Sequence, residues 1–412
     1  MRRAQTKIWT IAALMLGLLL SGCGQADGTQ GSVPPAPEGG TSAVNPGGAG
    51  GSKPTEPPKT PDRTEGTGEQ LAAVRMDRVT AVRLADAKSG WLGGDGWIAH
   101  TDDGGQTWSP QYSGKGTVRQ LFALNGREAW AVIEEGTGDS VKSRKLLATK
   151  DGGKTWTAAG TVPNGGFLHF ISQETAFSAN AKTTDGGKTW TTLAIPEHTK
   201  GDAYFHDAGN GWAVTQQGDT ITVKRTADGG KSWQDVLSKP IVAAVTDAVI
   251  RSAGANDAWV ELVGESGMTQ TSYALFHTKD GGKEWQTVIA NSTAGGGPAP
   301  GFPMGHTGGP KNGGSKPGAL YVVSPDVAFM GGQCPACDKP NTIGWTTDGG
   351  RTWVTGETAL PGYGPQLLAI ADAKSGWWIN TDNSEPAVMY TTADGGQSWH
   401  KVHTFEKPKP AL

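Results

Sequence analysis

The sequence predicts an all-β fold, a seven-bladed β-propeller with four-stranded antiparallel blades, on three observations. An octapeptide of the pattern T-x-D-G-G-x-x-W returns seven times, ending at Trp108, Trp156, Trp190, Trp233, Trp285, Trp353 and Trp399. Upstream of each copy a small residue precedes an aromatic: Gly90 and Trp91, Ala129 and Trp130, Ala176 and Phe177, Gly211 and Trp212, Ala258 and Trp259, Ala328 and Phe329, Gly376 and Trp377. The spacing from each octapeptide Trp to the next such aromatic is 21 to 26 residues, except for 44 between Trp285 and Phe329, which one insertion explains. Residues 71–405 thus hold seven units of about 48 residues, in the range of a propeller blade. A linear array would leave two sheet faces uncovered, so ring closure is expected.

The chain is expected to begin with an export signal. Arg2, Arg3 and Lys7 precede an apolar run at residues 8–20, which is too short for a bilayer core of about 30 Å and reads as a signal h-region. Leu20, Ser21, Gly22 and Cys23 resemble the lipobox of bacterial lipoproteins. The resemblance implies a signal peptide at 1–22, lipidation of Cys23, and residence on the outer face of the cytoplasmic membrane, or on an outer membrane where the host has one. Residues 23–70 form the linker: 19 of residues 24–70 are Gly or Pro and none is aromatic. Such a segment cannot offset its ordering entropy and is expected to be a disordered tether with a reach of about 35 to 40 Å. Residues 406–412 are left as a tail.

Within each unit the octapeptide reads as the turn between the third and fourth strands. Two Gly supply positive φ, while the Asp and Thr side chains bond nearby backbone amides and fix the turn. The structural set is Asp103 and Trp108, Asp151 and Trp156, Asp185 and Trp190, Asp228 and Trp233, Asp280 and Trp285, Asp348 and Trp353, Asp394 and Trp399. Glu284 stands where the other six copies carry Thr or Ser, so the fifth turn loses local hydrogen bonding. Runs rich in β-branched and aromatic residues at 118–124, 167–171, 319–323 and 367–370 read as strands.

Antiparallel succession puts all seven turns at one end and the second-to-third connections and interblade links at the other. The long segments 134–143, 264–271, 331–342 and 291–318 fall at that second end, where binding is expected. Segment 291–318 carries Phe302, Met304 and His306, and reads either as part of a binding surface or as a disordered insertion. His100 and His277 each precede a box Thr, where other copies have Ala148, Lys182, Arg225, Trp345 and Thr391. That variety reads as an outward-facing position, with the histidines ordinary surface residues and Trp345 an exposed ligand contact.

Three cysteines exclude a disulfide scaffold. Cys334 and Cys337, in a CPAC loop, are expected to pair after export. A redox site lacks a surrounding βαβ pattern, and zinc lacks two further ligands, so no metal and no cofactor are expected.

The octapeptides resemble the Asp-box, or BNR repeat, and their coupling to the small-aromatic pairs is similar to the photosystem II stability and assembly factor family. Sialidases and sortilin-type receptors share the box, which therefore identifies architecture and not activity. Sialidase-like propellers hold a carboxylate with arginines and use a Tyr nucleophile. By that more distant resemblance Arg83, Arg119, Arg251 and Tyr321 are candidates for a glycosidase site or a lined channel. HExxH, GxSxG and P-loop patterns do not occur.

The near balance of 36 Lys+Arg against 39 Asp+Glu excludes a polyphosphate-gripping field, so nucleic acid is not an expected partner. The favoured reading is a monomeric, lipid-anchored, extracytoplasmic scaffold that binds a protein without catalysis, as the family resemblance implies. The alternatives are a cell-surface glycoside hydrolase and a carbohydrate or cell-wall binding module that stacks glycan on exposed Trp.

Overall fold

The computed structural model describes residues 74–408, apart from 137–139, 335–340, 363 and 383. The signal peptide, Cys23, the linker, Cys337 and residues 409–412 lie outside the described residues. Twenty-six strands are described. The first sheet joins β1 (Val79–Leu84), β2 (Gly90–Thr101), β3 (Ser109–Ala123), β4 (Ala129–Glu135), β5 (Ser143–Thr149) and β6 (Thr157–Thr161). The second holds β7 (Leu168–Phe170), β8 (Ala176–Ser178), β9 (Ala181–Thr183) and β10 (Thr191–Thr192). The third holds β11 (Thr199–Phe205), β12 (Gly211–Gln217), β13 (Thr220–Thr226) and β14 (Gln234–Pro240). The fourth holds β15 (Asp247–Arg251), β16 (Ala258–Ser266), β17 (Thr271–Thr278) and β18 (Gln286–Asn291). The fifth holds β19 (Lys316–Val322), β20 (Ala328–Gln333), β21 (Thr342–Thr346) and β22 (Val354–Thr355). The sixth holds β23 (Gln366–Ile370), β24 (Gly376–Asn380), β25 (Val388–Thr392) and β26 (His400–Thr404).

The expectation of seven four-stranded blades is therefore corrected: hydrogen bonding groups the strands into six blades, one of six strands and five of four. The reason lies in β3, which pairs with β2 through Ser109, Pro110, Tyr112 and Ser113, and with β4 from Thr117 to Ala123. Its Gly114, Lys115 and Gly116 carry the chain between these pairings without leaving the sheet, and Asp95 of β2 also pairs with Thr117. The first blade consequently contains two octapeptide turns, at Asp103 and at Asp151. Packing of β1 on β23, β23 on β19, β19 on β15, β15 on β11 and β3 on β7 carries the ring round.

Adjacent blades are cemented by the aromatic residues that the repeat placed. Trp91, Trp212, Trp259, Trp377, Phe177 and Phe329 are all fully buried, and complete burial of a Phe side chain contributes about 1.5–3 kcal/mol. Trp130 of the first blade stacks on Phe170 of the second at 3.9 Å.

The turns behave as the sequence requires. Both Gly of every copy have positive φ, from Gly104 at 77° and Gly105 at 87° to Gly395 at 78° and Gly396 at 91°. The first Gly N–H also donates to the loop between the first two strands of its repeat, from Gly104 to the Lys88 carbonyl at 2.9 Å through to Gly395 to Lys374 at 2.9 Å. Those bonds place every box at the same end as the first-to-second loops. We call it the box end. The other end carries the second-to-third hairpins and the interblade links.

Candidate functional site

Each box is a small hydrogen-bonded knot. In the third copy, Thr183 Oγ1 donates to Asp185 Oδ1 at 2.8 Å and accepts from Gly187 N–H at 2.9 Å. Thr189 closes the knot, its N–H donating to Oδ1 at 2.9 Å and its hydroxyl to Oδ2 at 2.6 Å. The hydroxyls of Thr189, Ser232 and Ser398, followed by backbone N–H groups, hold Asp185, Asp228 and Asp394 down at about 2. At the fifth copy Glu284 supplies only its backbone N–H to Asp280, at 3.0 Å, as its lack of a hydroxyl requires. Box indoles brace the same turn: Trp108 donates to the Gly105 carbonyl at 3.1 Å, and Trp190 to Gly187 at 3.2 Å. These groups are consumed by structure.

A cavity of about 550 Å³ lies at the other end. Its outer wall is formed by Arg119 of β3, Glu134 near the end of β4, Arg144 near the start of β5, Gly165 on the link into β7, Asp202 of β11 and Asp247 at the start of β15. Arg119 and Arg144 grip the two oxygens of Glu134, Nε to Oε2 at 3.0 Å and Nε to Oε1 at 2.9 Å. Deeper in, the Arg251 guanidinium lies 3.9 Å from the centre of the Phe167 ring, and its Nη1 donates to the Ile250 carbonyl at 2.8 Å. It is closely enclosed yet still touched by water through the opening.

His169 stacks on Tyr204 at 4.9 Å, almost parallel. Its ring nitrogens are buried without completing a hydrogen bond. Burial first, then the charges of His206 and Arg251, pushes this imidazole to about 4, so it is neutral at neutral pH. Partial desolvation at the mouth raises Asp202, and neighbouring Asp247 adds to the effect. Behind the wall, burial pushes Glu261 of β16 up to about 8 despite the opposing charge of Arg251.

The sequence candidates do not converge on one place. Arg119 and Arg251 line the cavity. Arg83 is at the far end of β1, its guanidinium 4.4 Å from the Phe122 ring centre and 5.9 Å from that of Tyr321. A four-residue glycosidase constellation of Arg83, Arg119, Arg251 and Tyr321 is not assembled. Phe302 stacks on Phe276 at 6.0 Å and on His306 at 4.4 Å. That packing resolves the insertion in favour of ordered structure. Met304 is exposed.

Trp345 and the two histidines are corrected. Trp345 is half-buried and packs over Gly396 of the next box. His277 is 2% exposed and His100 is also buried. The position before the box Thr faces the neighbouring repeat: Arg225 approaches Gly281, His277 bonds the Gly349 carbonyl, and Trp345 covers Gly396. Cys334 is disulfide-bonded. Among the described residues no cluster of three or more His, Cys, Asp or Glu is placed to hold a metal ion, and no helix is long and apolar enough to cross a membrane.

Sequence reasoning missed Glu134, Arg144, His169, Asp202, Tyr204, Asp247 and Glu261. None belongs to the repeat signature, and what unites them is their placement round the ring.

Fold and boxes together define a class: this chain is a β-propeller built on BNR/Asp-box repeats. The family model for the BNR/Asp-box repeat matches residues 99–110. Comparison with curated proteins finds no match. Among solved structures, two of YCF48 are similar to the chain. A structure of YCF48 bound to D1 peptide has 15% identity and a TM-score of 0.46, covering 78% of this chain and 92% of that one. YCF48 from Cyanidioschyzon merolae has 14% identity and a TM-score of 0.48, covering 79% and 95%. A GH74 enzyme of Niastella koreensis has 13% identity and a TM-score of 0.34, covering 80% and 66%.

Proposed function

We propose that the protein is an exported, lipid-anchored scaffold that binds a segment of another protein in the cavity opposite the boxes, without chemistry of its own. The carrying observation is the composition of that mouth. Arg119, Glu134, Arg144, Asp202 and Asp247 offer both signs of charge beside the aromatic faces of Phe167 and Tyr204, a mixture suited to backbone and side chains of a polypeptide. The other end is committed to holding the fold. Lipobox-like residues ending at Cys23 support the anchor.

Crosslinking in intact cells tests the mouth. Arg119→Glu, at a half-exposed site, is expected to abolish capture of the partner; capture equal to the unaltered chain overturns the reading. Cys23→Ala is expected to release the protein from membranes, and unchanged fractionation would remove the anchor.

A glycoside hydrolase is the second reading. It is favoured by one observation: Asp202, with its raised carboxyl, shares the cavity with a second carboxylate, Asp247. Hydrolysis of cell-surface glycans that Asp202→Asn abolishes would put this reading first.

A further inference from the structure

We propose that the end opposite the boxes rests on a lipid bilayer surface, with Val242, Met268 and Met304 entering the headgroup region. This orientation builds on the lipid-anchor reading. Among the described residues five large apolar side chains are strongly exposed, and three belong to connections at this one end: Val242 at 53%, Met268 at 97% and Met304 at 73%. Val242 is on the link into β15, Met268 on the β16–β17 hairpin, and Met304 on the insertion between β18 and β19.

These three pieces make one packed rim. The link residues 241–244 share a small cleft with Gly264, Glu265, Pro298, Ala299 and Pro300. The hairpin tip is stitched to the far end of the insertion, Thr271 N–H donating to the Ser315 carbonyl at 2.8 Å. Two residues before Met304, Phe302 is held between Phe276 and His306, with the Lys239 ammonium 5.6 Å from its ring centre. The exposed side chains therefore stand on a built base, and methionine adapts readily to an irregular apolar surface.

The direction of the chain chooses a bilayer as the occupant. β1 runs toward the box end, so the described chain begins, at Val74, at the opposite end, beside the C-terminal segment, where Glu406 N–H donates to the Met76 carbonyl at 3.3 Å. A tether fixed in a membrane thus draws this end toward the lipid. Lipid then supplies residence and the rim supplies orientation, and the protein-binding mouth opens toward membrane-embedded partners.

The test uses the full chain with a hexahistidine insertion in the linker, captured on phosphatidylcholine and phosphatidylglycerol vesicles that contain nickel-chelating lipid and nitroxide-headgroup lipid. Capture then needs no lipidation, while flotation on vesicles without nickel lipid reports the anchor separately. Fluorophores attached through Met268→Cys and Met304→Cys are expected to be quenched, and those at the box turns, through Gln106→Cys and Lys231→Cys, to stay bright. Met268→Asp with Met304→Asp is expected to abolish quenching of a probe at Val242→Cys. Equal quenching at both ends, or quenching unchanged by the two aspartates, overturns the proposal. So does protection of the rim probes by native membranes but not by protein-free vesicles, which would assign the rim to a protein.

Discussion

Nε2 of His277 lies 2.8 Å from Oδ1 of Asp257 inside the propeller, and Nδ1 of the same ring lies 2.9 Å from the Gly349 carbonyl of the next blade's box. Both contacts are to oxygens, a carboxyl and a carbonyl, so the buried ring ties Asp257 of its own blade to the box of the next. It also stacks on Trp259 at 3.7 Å. Removing one partner of a buried hydrogen-bonded pair strands the polar atom of the other and costs about 1–3 kcal/mol. His277→Phe and Asp257→Leu are each expected to lower urea stability by that order, and the double variant to cost less than the sum of the two. Full additivity would mean that the pair is not coupled.

That joint shows what the sequence could and could not reveal. The turns were legible because their requirements are local: Gly281 and Gly282 need positive φ, and Asp280 needs acceptor geometry, whichever blade they occupy. The position before the box Thr was misread because its partner lies in another repeat. Arg225, His277 and Trp345 differ since each meets a different neighbour across a joint, and a joint looks as variable as a surface when only one side is visible. Blade number failed for a related reason. Seven boxes are countable, but whether Gly114, Lys115 and Gly116 end a sheet or prolong it depends on pairing with β2 and β4. The cavity was legible only as an end of the molecule. Glu134, Asp202 and Asp247 come from different blades, and no local pattern joins them.

The odd box offers a gain of stability. Asp280 lacks the hydroxyl bond that Asp348 receives from Thr352 at 2.7 Å. Glu284→Thr is expected to restore it and to stabilise the fold by about 1 kcal/mol or less, since the turn is open to water. Chemical denaturation of this variant beside Thr352→Ala, expected to lose a similar amount, is the measurement. A Glu284→Thr protein no more stable than its parent would mean the hydroxyl contributes nothing there.

The box carboxylates set the acid limit of the fold. Asp185, Asp228, Asp348 and Asp394 sit at about 2 in the folded chain, against about 3.9 for an unfolded Asp. The unfolded chain binds protons first, so the stability these groups contribute is complete above about pH 4 and falls away toward pH 2. Thermal midpoints measured between those limits are expected to drop. Thr189→Ala, which removes a hydroxyl donor, is expected to make the drop shallower. An unchanged slope would dissociate the hydroxyl from the effect.

Glu261 has the opposite sign. Its carboxyl, at about 8 in the fold and about 4.3 when unfolded, holds its proton better in the native state. Its contribution is complete below about pH 4.3 and is lost as pH rises toward 8, because ionisation then charges a group buried in β16. Glu261→Gln cannot ionise, so its stability is expected to vary less between pH 5 and 8 and to exceed the parent's at pH 8. Parallel pH profiles for the two proteins would show that Glu261 titrates normally.

The seam where the chain ends meet rests on an apolar side chain more than on its ions. Phe405 is buried beside Trp108, ring centres 6.4 Å apart, and its N–H donates to the Ala387 carbonyl at 2.9 Å. Arg75 reaches Glu406 at 3.1 Å, but both side chains are about half exposed to water. Truncating a buried Phe removes its transfer free energy and leaves a cavity, together about 3–5 kcal/mol, whereas an exposed ion pair contributes about 0–1 kcal/mol. Phe405→Ala is therefore expected to destabilise the whole fold and to speed hydrogen exchange in both β1 and β26, while Arg75→Ala leaves exchange nearly unchanged. Should Arg75→Ala open the seam as far as Phe405→Ala does, the ion pair rather than the aromatic contact would be what closes the ring.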